Sequence, residues 1–464
     1  MKKAWLKAEL RLESAFLTDK CVPGLSDIEK YIKWERKEYR LNFHKRIGRS
    51  ALHPSGLCDD SIKALKIKGA GALTHTGRLI HPTNIPLYND NPHLGFTENG
   101  EFIPVRSDPS PIGAITIERA EQEFTVARVL LEHGCPSIVP LQIYKYTDAN
   151  MRFIDRRGKS VPLGVVVSGV PNSSHLRGDS VFRYDELDES EKETLNSWIT
   201  SIKNQHLEGF VFSEDHPYLS LISALSRLYG RTIRKFSEAG LYRYSGAPDN
   251  YSYSVEEKEV FLIDLDSSMS LNALSPIRQS LEIMRDAASG IAYLLAFFSA
   301  PMTRHNFSSE DIVRENPFKQ LLIGYYADVY NEDPMYLEML SQVIAQYYKK
   351  ICDNAPGEIR NYQSHDASVY SSEIIDEEEQ EAREFTDFLS RSYLRPWISR
   401  SETFSYLMPI CWLLHGRSRA MMTLAPKILR KQKLFENIKA YNHQSPEVAD
   451  LVSQEIQRAL STYR

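Results

Sequence analysis

Cysteine is scarce and scattered. Cys21, Cys58, Cys135, Cys352 and Cys411 are odd in number and form no C-x-x-C pair. That argues against a disulfide framework or a cysteine zinc site, and favours a reducing compartment, the cytoplasm. Long apolar runs are also missing. No uncharged apolar stretch reaches 18 residues, so no membrane span is expected. The opening stretch, MKKAWLKAELRLESAF, starts basic, but Lys7, Glu9 and Arg11 interrupt any apolar segment. It is expected to be an amphipathic helix rather than a secretory signal. Charge of one sign does not dominate. The 56 basic and 61 acidic residues give a formal −5, no reason to expect a nucleic-acid or anionic-membrane partner. His75, His81, His93 and His175 lack metal-ligand spacing, and Ser55 lacks a G-x-S-x-G context.

Apolar residues make up 42% of 464, enough for a large core or two lobes. Residues 1–48 are charged and helix-prone and read as an N-terminal helical extension. Ala64–Lys68 reads as a strand ending in Gly69-Ala70-Gly71. Residues 81–111, rich in Pro, Asn, Asp and Gly, predict a long surface loop or short hairpins. A helix is expected from about Thr116 to His133, with Gly134 and Pro136 as its stop. Strands follow at 138–147 and 162–170, and helices at 188–206 and 217–238. Beyond residue 270 helical periodicity recurs at 276–299, 310–330, 334–353, 373–392, 403–414, 424–441 and 445–462.

Near the junction lies Gly246–Ser268, GAPDNYSYSVEEKEVFLIDLDSS. Alternating Tyr251, Tyr253 and Val255 face the apolar run Val260–Ile263 across a charged turn, which predicts a hairpin. A turn centred on Glu257 would put Asn250 opposite Asp264, with Asp249 and Asp266 close by. An amide oxygen and carboxylates converging there suit Mg²⁺ or Mn²⁺ holding a nucleotide's phosphates.

Strands and one prominent helix, then a helical half with this hairpin near the junction, are the layout of a protein-kinase-like α+β fold with two lobes. The expected division is an N-lobe at 49–185 and a helical C-lobe at 186–464, with the hairpin at 246–268. Such a site needs a strand lysine on the phosphates and a helix glutamate to position it. Lys68 and Glu123 are placed for those roles. Gly69 and Gly71 would let backbone N–H groups approach phosphate oxygens.

Lys68-Gly69-Ala70-Gly71, Gly77-Arg78, Gln122-Glu123-Phe124, Ser174-His175-Leu176-Arg177, Asp249-Asn250 and Ile263-Asp264 follow one another in an order that resembles the SelO (YdiU) family of kinase-like protein adenylyltransferases. The likeness covers roughly residues 60 to 270. It implies that Lys68 binds phosphate with Gly69, Gly71 and Arg78 around the nucleotide, and that Glu123 pairs with Lys68. It further implies that Asn250 and Asp264 hold the metal, that Asp249 sits at the catalytic-loop position, and that Arg177 meets the phosphates of an inverted ATP. AMP would then pass to a protein Ser, Thr or Tyr hydroxyl.

Protein kinases carry their base Asp five residues before the metal-binding Asn, and here that residue is Ser245. The chain departs from the family near Ser168-Gly169-Val170, where an arginine is expected. The alternatives are phosphoryl transfer to a small molecule or peptide, and a non-catalytic nucleotide-binding scaffold.

Overall fold

The computed structural model describes residues 10–16, 25–33, 42–43, 49–54, 62–73, 79–87, 93–96, 102–105, 109–155, 157–274, 276–299, 308–327 and six positions between 338 and 349. Arg78, the helices expected beyond residue 373 and most of the one at 334–353 lie outside these.

The fold is mixed, sheet-rich up to Val170 and helix-rich after it. Leu10–Ala15 (β1), Asn42–Phe43 (β2), Ser50–Pro54 (β3), Ala64–Lys68 (β4), Val139–Tyr146 (β5) and Ser160–Val170 (β6) form an antiparallel sheet in the order β1-β5-β6-β4-β3-β2. Ile115–Thr116 and Arg152–Ile154 also pair with β6. The stretch expected to be an N-terminal helix therefore enters the sheet through β1, which pairs with β5. The physical reason is a period of two. Leu10 and Leu12 alternate with Arg11 and Glu13, and the latter two meet as an ion pair at 2.8 Å, as same-face neighbours in a strand do. A short helix, α1 (Ile28–Ile32), follows and buries Ile28 and Ile32. Between 81 and 111, Pro86–Leu87 pairs with Ser110–Pro111 and His93–Phe96 with Phe102–Val105, so this region carries hairpins.

β4 lies in the middle of the sheet and is buried along its whole length. Its period of two sends Leu65 and Ile67 into one apolar cluster with Val165 and Val167. Lys66 and Lys68 consequently share the other face, where α2 (Ile117–Glu132) packs. Thr116 caps α2 by accepting from the Arg119 N–H, and the Cys135 N–H closes its end on the Leu130 carbonyl at 2.9 Å. The inward stripe of α2 holds Ala120, Phe124 and Ala127, and it also holds Glu123, which is fully buried. Leu131, off that stripe, is exposed.

The helical part comprises α3 (Glu189–Lys203), α4 (Pro217–Glu238), α5 (Pro276–Ser299), α6 (Ser309–Glu315) and α7 (Pro317–Tyr325). The single helix expected at 310–330 breaks at Asn316, which takes a left-handed φ of 44° and caps α7 through the Lys319 N–H. Pro317, with no N–H to give, starts the new helix. One apolar cluster runs from Val126, Ala127 and Leu130 of α2 to Leu225 and Leu228 of α4 and Phe318 and Leu321 of α7.

The hairpin forms from β7 (Tyr251–Ser254) and β8 (Glu259–Leu262). Its turn holds four residues, Val255 to Lys258, and Lys258 closes it with φ 56°. Tyr251 therefore pairs with Leu262, and Asn250 stands opposite Ile263 rather than Asp264, one residue off the expected register. The hairpin is tied to the exit of α2. The Leu262 N–H donates to the Pro136 carbonyl at 3.0 Å, and the Ile138 N–H donates to the Leu262 carbonyl at 3.1 Å. This docking carries the residues after Leu262 toward Glu123.

Candidate functional site

β4, α2 and the end of the hairpin meet in a buried network of ions. Each carboxylate oxygen of Glu123 holds one ammonium group. Oε1 accepts from Lys66 at 2.9 Å, and Oε2 accepts from Lys68. Lys68 also donates to Asp264 and lies 3.3 Å from Asp266 Oδ2. Arg49, just before β3, donates to Asp266 at 3.0 Å and approaches Asp264 at 3.7 Å. Arg119 of α2 lies 3.9 Å from Asp266. The residue before β3 can reach this site because its carbonyl accepts from the Gly69 N–H at 2.8 Å, fixing Arg49 beside the end of β4.

Asp264 leaves β8 with φ 63°, left-handed for a residue with a side chain. That turn directs its carboxylate to Lys68 despite the shifted register. Such backbone costs on the order of 1–3 kcal/mol and tends to persist at functional positions. Burial raises the Asp264 carboxyl, but the cations Lys68, Arg49 and Lys66 overcome this and hold it far below the usual carboxylate range. Asp266 is lowered in the same way. Burial lowers the Lys66 ammonium, with Glu123 opposing.

Oxygens of Glu123, Asp264 and Asp266 lie within 4.8 Å of one another. Glu123 and Asp266 have side chains almost fully buried and engaged by cations, whereas the Asp264 side chain is 31% exposed. Asp264 is thus the carboxylate that a cation can reach from solvent. Asn250 donates its amide nitrogen to the Ser245 carbonyl at 3.3 Å, and its amide oxygen is a donor of the hard type. The Tyr244 hydroxyl ties both strands at this open end by donating to the carbonyls of Asn250 and Ile263. One carboxylate and one amide oxygen are a donor set that fits Mg²⁺ or Mn²⁺, which take one or two protein ligands and fill their shell with water and phosphate oxygens.

A second cluster adjoins the first. Asp249 is half-buried, and its Oδ1 is buried without a hydrogen-bond partner. Burial pushes its carboxyl up to about 6, Asp179 adds to the rise, and Arg177 and Arg183 oppose it. Arg177, expected to face phosphates, is buried and donates to the Asp249 carbonyl at 2.5 Å. It braces the loop that carries Asp249. Ser245 donates to the Tyr293 hydroxyl at 3.1 Å.

The expected pairing of Lys68 with Glu123 is present, and Asp264 joins it. Gly69 and Gly71 have a different part from the one expected. Their N–H groups donate at 2.8 Å to the carbonyls of Arg49 and Gly113, so they are not open to phosphate oxygens. Both take positive φ, 98° and 121°, and a Cβ on Gly69 would strike the Gly164 carbonyl. They turn the chain tightly under the sheet. At Gly169 a Cβ would come within 2.8 Å of the Ile62 side chain, so an arginine there would require Ile62 to move.

Sequence reasoning missed Arg49, Lys66, Arg119 and Asp286. Lys66 carried a signal, since residues i and i+2 of a strand share a face. Asp286 on α5 is buried, pushed up to about 7 by burial and Glu282, and countered by Arg285 and the backbone of Tyr244 and Arg243. It therefore supports the loop of Ser245 and Asp249 from below.

No protein-family profile and no curated protein matches the chain. Among solved structures, one described as WaaP in complex with acyl carrier protein is similar at 12% identity, covering 73% of this chain and 99% of that one, with a TM-score of 0.30. At that distance the roles of individual residues rest on the geometry above. Among the described residues no helix is long and apolar enough to cross a membrane.

Proposed function

We propose that this chain is an ATP-dependent transferase of protein-kinase-like construction, using Mg²⁺ or Mn²⁺ and passing a group to a hydroxyl of a protein or peptide. The observation that carries this reading is the convergence of a strand lysine, a helix glutamate and a hairpin aspartate in one contact, Lys68–Glu123–Asp264. That constellation is what group transfer from a nucleoside triphosphate requires: a cation on the phosphates, a carboxylate to fix it, and a ligand for the metal. In this reading Lys68 moves from Asp264 to the phosphates while Glu123 keeps it in place. Asp264 and Asn250 hold the divalent ion, which would neutralise developing phosphate charge. Asp249, half in its ionised form near pH 6, orients the acceptor hydroxyl or takes its proton.

Two reactions are compatible with this site. Transfer of AMP, as in the SelO-like reading, is favoured by Ser245, which stands where a conventional kinase has its base. Transfer of the γ-phosphoryl group is favoured by Arg177, whose guanidinium is committed to the Asp249 carbonyl rather than to an inverted triphosphate. Incubation with ATP labelled at the α- or the γ-phosphate, followed by intact mass, separates them. An α-label with a gain of one AMP and release of pyrophosphate means adenylylation, and a γ-label with release of ADP means a kinase. Metal-dependent ATP binding with neither transfer would overturn the transferase reading and leave a nucleotide-binding scaffold.

A further inference from the structure

We infer that Arg49 is an anion-binding residue of this site that masks Asp264 until phosphate arrives; this rests on the nucleotide reading above. Arg49 uses one terminal nitrogen, NH2, for both of its acidic contacts, Asp266 and Asp264. Its other terminal nitrogen, NH1, is buried and has no hydrogen-bond partner. A guanidinium is a planar fork built for two parallel bonds to a phosphate or carboxylate. Here half of that fork is unused in a place where an unmade hydrogen bond is costly. A terminal phosphate offers the missing acceptor and keeps the positive charge neutralised.

The position is fixed by the sheet. Ser50 pairs with Lys68, and the Arg49 carbonyl holds the Gly69 N–H. Arg49 and Lys68 therefore reach the same carboxylate from adjacent strands. Both stand on Asp264, the ligand that is open to solvent. A divalent ion arriving alone must displace two cations from that carboxylate. Phosphate oxygens arriving first give those cations another partner and release Asp264. Anion binding and metal binding are then coupled, each raising the affinity for the other. Arg49 also supplies a phosphate-facing cation in a site where Arg177 is engaged elsewhere and Gly169 carries no side chain.

The test uses the full chain and two probes, Mn²⁺ alone followed by electron paramagnetic resonance, and tripolyphosphate or ATP followed by calorimetry. In Arg49→Ala, affinity for tripolyphosphate and for ATP is expected to fall about ten- to a hundredfold, the size of a lost charge-assisted bond. Affinity for Mn²⁺ alone is expected to rise, because one mask is gone. Arg49→Lys keeps the charge without the fork and should fall between wild type and Arg49→Ala for tripolyphosphate, which separates an anion contact from a general loss of folding. Unchanged tripolyphosphate binding in Arg49→Ala, or weaker Mn²⁺ binding, overturns the inference while wild-type ATP binding leaves the transferase reading standing. Arg49-dependent binding of tripolyphosphate with no binding of ATP supports the inference and overturns the transferase reading. A wild type that binds neither anion overturns both.

Discussion

Replacing Glu123 by glutamine tests whether the ion network at the site is held together as described. The side chain is fully buried, and each carboxylate oxygen holds a different lysine. Glutamine keeps the shape but offers one acceptor, and its NH₂ group faces the second ammonium. Lys68 retains Asp264 and Asp266. Lys66 has no second salt bridge among the described residues, so it loses its main source of stabilisation. Breaking one side of a buried pair costs about 3–5 kcal/mol. An independent bound comes from the lysine itself. It can shed its proton, and the ordinary value of 10.5 sets an upper bound on that cost of about 5 kcal/mol at pH 7, at ~1.4 kcal/mol per pH unit, which burial reduces. The loss should therefore not exceed about 5 kcal/mol.

The sign with pH follows from the same step. In the variant, Lys66 is neutral when folded and charged when unfolded up to about pH 10, so the unfolded chain binds more protons. Stability relative to wild type therefore rises with pH wherever wild-type Lys66 stays charged, by up to ~1.4 kcal/mol per unit. The deficit should be largest near pH 7 and shrink toward pH 9. Urea midpoints followed by intrinsic fluorescence at pH 7, 8 and 9 read this directly. Tyr146 and Tyr251, held well above the usual phenol range by burial, stay protonated throughout. A deficit below about 1 kcal/mol, or one that widens with pH, would refute the shared-carboxylate account.

Asp264→Ala should abolish metal-dependent turnover and leave the far-ultraviolet circular dichroism unchanged, since its side chain is partly exposed; retained turnover removes Asp264 from the site. The acid limb of the rate profile should have its midpoint near pH 6 and vanish in Asp249→Asn. Because the folded pKa of Asp249 is raised, wild type should also lose stability relative to Asp249→Asn as pH rises from about 4 to 6, seen as diverging melting temperatures. Gly69→Ala must accommodate a Cβ 2.5 Å from the Gly164 carbonyl at a φ of 98°, so it should cost more than ~1 kcal/mol in a urea titration; a neutral result would refute the tight-turn role.

Much of the local structure could be read from the sequence. The ends of α2 and α4 were marked by Thr116, Gly134 and Pro217, residues whose preference is set by the backbone itself. Lys68, Glu123 and Asp264 were legible as candidates because each sits at a marked point of its element. Three things were not legible. β1 carries a helix-like composition, and its conformation is decided by the open edge of β5. The hairpin register depends on whether the turn holds three residues or four, and the charged run Glu256-Glu257-Lys258 fits either. The engagement of Gly69 and Gly71 with Arg49 and Gly113 is a long-range pairing that no local pattern announces.

Arg49 shows the same limit from the opposite side. In sequence it is one basic residue in a charged stretch, 215 positions from Asp264 (264 minus 49). Its place in the site comes from two pairings, β3 with β4 and the hairpin with the exit of α2, which bring the two ends of that interval to 3.7 Å. Lys68, on β4 itself, needs only the second of these pairings to meet Asp264. Any change that slips β3 along β4 would move Arg49 and leave Lys68 in place, so the two cations can be separated by mutation at the β3 edge. Ser50→Pro, which puts a proline opposite Lys68 and disturbs the pairing beside Arg49, should therefore weaken tripolyphosphate binding while the Lys68–Glu123 contact survives. Equal loss of phosphate affinity in Ser50→Pro and in a Ser50→Pro, Arg49→Ala double variant is the expected result. A further drop in the double variant would show that Arg49 keeps its place without the strand, and that the β3–β4 pairing is not what aims it.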